Sequence, residues 1–283
     1  SVDGVQIWTK LSKGLPKGNI GKIDLATSHA DTNRLYALIE AGDGQGGVYV
    51  SYDKGSNFKV MSHRKELVNR PFYYCNIYAH PKNADVIYSS ANKFMISINA
   101  GKTWEIRETP HGDNHDIWIN PNHDNIWIQS NDGGGNVTFN SGKTWTTQFN
   151  QPTAEIYQVE VDQQYPYWLY GGQQDNSAIG IKSRDQDRGI DWKDWYSVSG
   201  CESAFLAFDS KNPKVVYGGC YKGIIQRWNR ATKSSKDIKE YPELALGNAP
   251  NSFKYRYNWN APIISAPSDP NIIATPDTIG FIS

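Results

Sequence analysis

A polar turn followed by a short apolar strand recurs six times along this chain, as SHADTNRLYALIE (28–40), HPKNADVIYSSA (80–91), NPNHDNIWIQSN (120–131), DQQYPYWLYGGQ (162–173), DSKNPKVVYGGC (209–220) and PSDPNIIATPD (267–277). An alternating strand precedes each turn: KIDLAT, CNIYAH, DIWIN, YQVEVD, FLAFD and PIISAP. Each unit therefore reads as a β-hairpin. With Tyr36, Tyr88, Trp127, Tyr170, Tyr217 and Ile273 taken as equivalent, the spacings are 52, 39, 43, 47 and 56 residues. A lone hairpin buries too little surface to be stable. Repeats of this length have to pack on one another, which is the logic of four-stranded propeller blades.

The rest of each repeat supplies the other two strands. GVYVSYDKGSNFKV (47–60), FMISINAGKTWEI (94–106) and NVTFNSGKTWTTQ (136–148) each hold a strand, a tight turn and a second strand that starts on an aromatic residue. A Ser-x-Asp-x-Gly-x-Thr-Trp pattern runs through them as Ser51, Asp53, Gly55 and Phe58; as Ser97, Asn99, Gly101, Thr103 and Trp104; and as Asn140, Gly142, Thr144 and Trp145. In such a turn the Asp or Asn side chain accepts from backbone N–H groups, Gly takes the positive φ, and the ring packs into the blade. Composition agrees: 25 Gly, 10 Trp and 17 Tyr against 2 Met and 20% charged residues suit strands and tight turns better than amphipathic helices.

The expected fold is an all-β propeller of four-stranded antiparallel blades, about six in this chain, in a single domain over 1–283. Blades are expected near 19–62, 72–108, 115–150, 155–199 and 203–241, with 261–283 completed by 1–12. SVDGVQIW (1–8) reads as a degenerate turn, WTKLS (8–12) as a fourth strand and IGFIS (279–283) as a third strand. Pairing 8–12 with 280–283 closes a ring; the alternative is an arc of a larger one. Unpaired edge strands at both ends are an aggregation liability, which favours closure. Blade four carries SRDQDRGIDWKDW (183–195) in place of the turn pattern, and blade five carries NRATKSSKD (229–237). Cys201 and Cys220 flank a hairpin that turns near Lys211–Asn212 and fall opposite each other, either bonded or as two buried thiols. The chain starts at Ser1 with no Met and no apolar leader, and reads as a processed or excised segment.

Strand alternation sorts the loops. The patterned turns fall at one end of the blades; the loops between second and third strands, and the links between blades, fall at the other. The latter include SHRKELVNRPFYY (62–74), PHGDNHD (110–116), SNDGGGN (130–136), GGQQDNS (171–177), SGCES (199–203) and YPELALGNAPNSFKYRYNWN (241–260). Their amides, carboxylates, histidines and rings suit a polar ligand such as a sugar. With 29 basic and 29 acidic residues there is no basic excess to bind nucleic acid. No apolar run reaches the roughly 18 residues of a membrane helix. No G-x-S-x-G, P-loop, H-E-x-x-H or Cys-His cluster is present; no cofactor and no metal is expected.

Within that loop set, Asp132 and Asp175 follow the second strands of consecutive blades. As a carboxylate pair they suit glycoside hydrolysis; as turn residues they brace Gly-rich loops. Glu202 is a third candidate acid, or a hydrogen-bond acceptor. His111, Asp113 and His115 form H-x-D-x-H, a spacing that serves a metal or a general base, or side chains that satisfy backbone groups. Arg70 and Arg256 precede inner strands and either clamp a carboxylate or pair with a neighbouring Asp. Tyr73, Tyr74, Tyr255, Tyr257 and Trp259 are stacking or core residues, and Asn131, Gln173, Gln174 and Asn176 complete the polar rim.

The turn pattern resembles the Asp-box, or BNR, repeat of sialidases, sortilin-type receptors and xyloglucanase-like glycosidases. RPFYYCNIYAHP, TPHGDNHDIWINP, NDGGGNVTFNSGKTW, NQPTAEIYQV, YGGQQDNS and KYRYNWNAPIISAPSDPN are similar to large bacterial exported proteins labelled glycosyl hydrolase or sortilin-like, over about Ile20 to Ser283. The resemblance implies an Asp-box propeller, a secreted or cell-envelope location and further domains beyond this chain, but no particular reaction. The sialidase arrangement of three arginines, a Tyr–Glu pair and an acid Asp is not met: there is no Phe-Arg-Ile-Pro segment, and NRPFYY is a poor substitute. Three functions stay open. They are a non-catalytic binding propeller for a polysaccharide or peptide, a glycosidase using Asp132, Asp175 or Glu202, and a structural module with a protein partner.

Overall fold

The computed structural model describes residues 5–151, 153–186, 189–209, 211–239, 243, 247–269, 271–276 and 281–282. The described elements are strands and short 3-10 turns, and no helix among them is long and apolar enough to cross a membrane. The chain divides into two compact units, Ser1–Pro152 and Thr153–Ser283.

Among the described residues, each unit holds three antiparallel sheets. In the first unit they are β1 (Ile20–Ser28) to β4 (Lys59–Ser62) by way of β2 (Asp31–Ala41) and β3 (Gly47–Ser51); β5 (Asn76–Ala79), β6 (Ile87–Ser90), β7 (Phe94–Ser97) and β8 (Glu105–Ile106); and β9 (Asn114–Ile119), β10 (Trp127–Asn131) and β11 (Gly134–Thr138). In the second they are β12 (Glu160–Val161), β13 (Trp168–Gly172), β14 (Ala178–Lys182) and β15 (Trp195–Val198); β16 (Leu206–Phe208), β17 (Val215–Cys220), β18 (Ile224–Asn229) and β19 (Ser234–Asp237); and β20 (Ile264–Ser265), β21 (Ile273–Pro276) and β22 (Phe281–Ile282). Chain neighbours are sheet neighbours throughout, the meander of a propeller blade. The all-β propeller class expected from the repeat is the class found.

The repeating aromatic explains the period. Tyr36, Tyr88, Trp127, Tyr170 and Tyr217 are all buried on second strands. They join one sheet to the next: the Tyr36 hydroxyl donates to the Ala84 carbonyl at 2.7 Å, and the Tyr88 and Trp127 rings meet edge to face at 5.2 Å. The Trp127 indole likewise donates to the Asp124 carbonyl at 2.7 Å, and the Tyr170 hydroxyl to Asp162 at 3.1 Å, so these rings are buried with their polar tips bonded.

The patterned turns share one set of bonds. The Ser51, Ser97 and Thr138 hydroxyls accept from the N–H of Gly55, Gly101 and Gly142 at 2.8, 2.8 and 3.0 Å. They donate in turn to Asp53, Asn99 and Asn140 at 2.7, 3.0 and 3.0 Å. Those side chains accept from the N–H of Asn57, Thr103 and Thr144, each at 2.9 Å. The left-handed conformation is not confined to glycine. Lys54, Ala100 and Ser141 sit at φ of 59°, 59° and 58° immediately before Gly55, Gly101 and Gly142. A non-Gly residue there costs roughly 1–2 kcal/mol, offset by the bonds around it.

Some expectations change. In the third sheet the fourth strand shrinks to one rung, because the Thr146 hydroxyl takes the Val137 N–H at 3.0 Å while its own N–H reaches the Val137 carbonyl at 2.9 Å. Residues 8–12 form no strand. The chain just after them lies against its own first sheet: Leu15 packs against the cluster of Ala37, Ile39 and Tyr49, and the Phe58 N–H donates to the Lys13 carbonyl at 2.9 Å. Gly280 and Ser283 lie outside the described residues. Cys201 and Cys220 are bonded, with Cα atoms 5.0 Å apart. The 183–195 loop is organised around Lys182, whose ammonium lies 2.7 Å from Asp194 and 3.0 Å from Asp185.

The Asp53 carboxyl is held down to about 2, chiefly by the Asn57 side chain and then by the Ser51 hydroxyl and the Asn57 N–H. Its ordinary value lies near 4, so this stabilisation is complete above about pH 4 and disappears as pH falls toward about 2. Asp53→Asn keeps the bonds seen at Asn99 and Asn140. It is expected to melt below the wild type near neutral pH and together with it near pH 2, as followed by circular dichroism; a constant gap at all pH values contradicts the assignment. The Cys201–Cys220 bond spans a sequence separation of 19 residues. Loop entropy puts its contribution at about 3 kcal/mol. Cys201→Ala combined with Cys220→Ala should lose that amount in urea unfolding.

Candidate functional site

In the first unit, the links before β5 and β9 meet the loops after β6 and β10. The chain turns at Arg70 (φ 50°), whose carbonyl accepts from the N–H of Tyr73 and Tyr74 at 2.9 and 3.2 Å. That turn sets the two tyrosine rings side by side at 5.3 Å. The Tyr73 hydroxyl donates to Asp132 Oδ1 at 2.9 Å, and His115 Nε2 lies 2.5 Å from the same oxygen. His115 is placed through its carbonyl, which accepts from the Asn76 amide at 2.6 Å and the Tyr78 hydroxyl at 3.1 Å. Alongside, Asp113 (φ 51°) accepts from the Tyr74 hydroxyl at 2.9 Å and the Asn92 amide at 2.8 Å, and pairs with Arg70 at 3.4 Å. Burial, and then the bond to Asp113, push the Tyr74 hydroxyl up, so it stays a neutral donor. The Arg70 guanidinium lies 5.0 Å from the Tyr73 ring, near Phe72, which is 83% exposed. The surface on offer is a cation flanked by rings above two anchored carboxylates.

In the second unit, Glu202 is the focus. Its Oε2 accepts from the Gln174 amide at 2.8 Å and from the Asp175 N–H at 3.0 Å. The Tyr157 hydroxyl donates to Gln174 Oε1, and the Trp259 indole bonds to Tyr157. Donation thus runs in one direction, from Trp259 through Tyr157 and Gln174 to Glu202. Burial first, and then the carboxylates of Glu202, Glu155 and Asp175, raise the Tyr157 hydroxyl and keep it protonated. The Trp259 ring stacks on Tyr221 at 4.8 Å and 18°. Residue 172 has to be glycine: a Cβ there would fall 2.6, 2.7 and 2.8 Å from backbone atoms of Glu202, Ala204 and Cys201.

The other expected residues serve these clusters or stand apart from them. Asp132 and Asp175 belong to different units and to separate clusters. Asp175 (φ 51°) contributes its N–H and leaves its side chain exposed. Gln173 folds back onto the Ser177 carbonyl at 3.2 Å, and Asn176 accepts from the Ser177 N–H at 2.8 Å, so both shape the loop. Asn131, expected at the rim, is only 6% exposed and is used inside an amide network with Gln129, Asn136 and Gln148. His111 is exposed, its ring against the Gly112 carbonyl at 3.0 Å rather than joined to His115. Arg256 is exposed. Among the described residues, no group of three His, Cys, Asp or Glu is placed to hold a metal. Asn92, Tyr157 and Tyr221 were missed from sequence. Tyr221 directly follows β17, where an aromatic residue at a loop boundary is the one available signal.

No family model matches the chain, and no curated protein matches it. Among solved structures, it is similar to a Niastella koreensis GH74 enzyme at 13% identity and a TM-score of 0.36, over 91% of this chain and 44% of that one. The GH74 xyloglucanase from Xanthomonas campestris is similar at 12% identity and 0.33, over 91% and 44%. YCF48 bound to D1 peptide is similar at 13% and 0.38, over 99% and 83%. The chain spans less than half the length of these two GH74 enzymes, and the likeness is one of fold class.

Because the 201–204 backbone rests on Gly172, Gly172→Ala should displace Glu202 and destabilise the second unit by about 1–3 kcal/mol, the range for forced overpacking. Chemical denaturation measures the cost; an unchanged midpoint would mean that the 201–204 turn yields freely.

Proposed function

We propose that this chain is a binding module of an exported Asp-box propeller protein, taking a glycan or peptide at the loop end of its sheets. One observation carries the reading. Glu202 is fixed by donors on Oε2 alone, its Oε1 has no partner among the described residues, and Trp259, 47% exposed and stacked on Tyr221, lies at the head of the same chain of bonds. A sugar offers a matching pair of surfaces: hydroxyls donate to a carboxylate, and a C–H face stacks on an indole. The Arg70–Tyr73–Asp132 cluster has the same elements, a ring surface beside carboxylates. The Cys201–Cys220 bond supports an oxidising, exported setting.

Glycoside hydrolysis is the second reading. It is favoured by the exposed Asp175 side chain one residue from Gln174 and bonded through its backbone to Glu202, which puts two carboxylates in one cluster.

A panel of soluble polysaccharides, xyloglucan included, and a peptide library decide between these. Retention in affinity electrophoresis without release of reducing ends is the expected result. Trp259→Ala and Gln174→Ala should each weaken it by about tenfold or more, roughly 1.4 kcal/mol. Reducing ends that appear with the wild type and vanish with Glu202→Gln would establish the hydrolase instead. Retention of neither glycan nor peptide would leave a structural module.

A further inference from the structure

Between the sheet of β16 to β19 and that of β20 to β22 lies a cavity of about 460 Å³, within the size range of small-molecule sites. Most of its wall is apolar or aromatic, with Tyr217, Ile225, Ile273 and Tyr257 prominent. Tyr257 is seated by Gly223 (φ 72°), where a Cβ would come within 2.4 Å of the ring. Four polar side chains interrupt that wall: Asn271, whose amide donates to Asp269 at 3.0 Å, and three others. Arg227 on β18 is partly buried and has no acidic or hydrogen-bonding partner for its guanidinium among the described residues. The Lys239 ammonium donates to the Lys222 carbonyl at 3.2 Å and lies 5.4 Å from the centre of the Tyr257 ring. Thr275 is 6% exposed, and its hydroxyl has no hydrogen-bond partner among the described residues.

Each of the last three groups is costly where it stands. A hydroxyl removed from water without a partner loses its solvation, and a cation in an apolar cavity loses part of its hydration. The lining residues supply two cations and no acid. Glu243, which is not part of the lining, is the acidic group that acts on Lys239; burial still pulls the Lys239 ammonium below its ordinary range. A neutral or cationic ligand would leave this imbalance in place. An anion with a hydrocarbon body removes it and fills the apolar wall as well.

We propose that this cavity binds an organic carboxylate with an apolar body, its carboxylate held by Arg227 and Lys239 with the Thr275 hydroxyl as a third donor. The planar guanidinium suits a carboxylate's two oxygens, and the apolar body lies against Tyr217, Ile225 and Tyr257. The site is separate from the Glu202 cluster, so it stands whether or not the loop-end reading does.

The test is calorimetric titration of the whole chain with 3-phenylpropionate and, in parallel, with the uncharged 3-phenylpropionamide. The acid is expected to bind once per chain and the amide about tenfold or more weakly. Arg227→Gln should remove that preference, and Thr275→Val, which conserves shape, should weaken the acid several-fold while leaving the melting temperature in place. A measurement on the wild type needs no variant: bound acid should slow reductive methylation of Lys239. A peptide with a free C-terminal phenylalanine carboxylate, set against its C-terminal amide, separates a chain terminus from a free small acid as the source; either supports the carboxylate chemistry. Absence of binding at millimolar acid, equal affinity for acid and amide, or unaltered Lys239 labelling overturns the proposal.

Discussion

The hydroxyls of Ser51, Ser97 and Thr138 are the points on which the first unit's sheets are hung. Each is buried, and each is both donor and acceptor within its own turn. A buried hydroxyl has to be satisfied, and here satisfaction closes the path from third strand to fourth without help from any other blade. Because these turns are self-sufficient, the sheet can be held from one end. The loops at the other end of these sheets carry the ionisable and aromatic residues of the first unit's cluster.

The backbone at that other end is strained in a different way. Arg70, Asp113 and Asp175 all adopt positive φ, as Lys54, Ala100 and Ser141 do in the turns. In the turns the strain serves a closed set of bonds. At the loop end it aims side chains or backbone donors at a shared carboxylate: Arg70 and Tyr74 at Asp113, and the Asp175 N–H at Glu202. Left-handed non-Gly residues persist only where the surroundings hold them, and at Arg70, Asp113 and Asp175 those surroundings include a hydrogen-bonded carboxylate.

What could be read from sequence was what is local in sequence. The hairpins, the buried ring of each second strand and the turn chemistry of Asp53, Asn99 and Asn140 all follow from neighbours within about ten residues. The opposition of Cys201 and Cys220 followed from counting residues about one turn. The failures are long-range substitutions of one kind of bond for another. Thr146 replaces a strand rung with its hydroxyl, and Leu15 packs on the first sheet's Ala37, Ile39 and Tyr49 where residues 8–12 were expected to extend a different sheet. Asn131 looked like a rim residue because it ends a strand beside a glycine run; Gln148, seventeen residues later, draws it inward. Tyr157 and Tyr221 become site residues only through Gln174 and Trp259, which no periodicity connects to them.

The disulfide gives these distant parts a common anchor. Glu202 follows Cys201 directly, and Tyr221 follows Cys220 directly, so one crosslink with Cα atoms 5.0 Å apart ties the carboxylate to the residue on which Trp259 stacks. The Cys201 N–H adds a bond to the Gly219 carbonyl at 3.1 Å, and Gly172 supports the same turn from the neighbouring sheet. Three restraints thus converge on a carboxylate with one oxygen bonded and the other without a partner among the described residues. The crosslink adds a covalent path between the carboxylate and the ring under Trp259 to the hydrogen-bonded path through Tyr157 and Gln174.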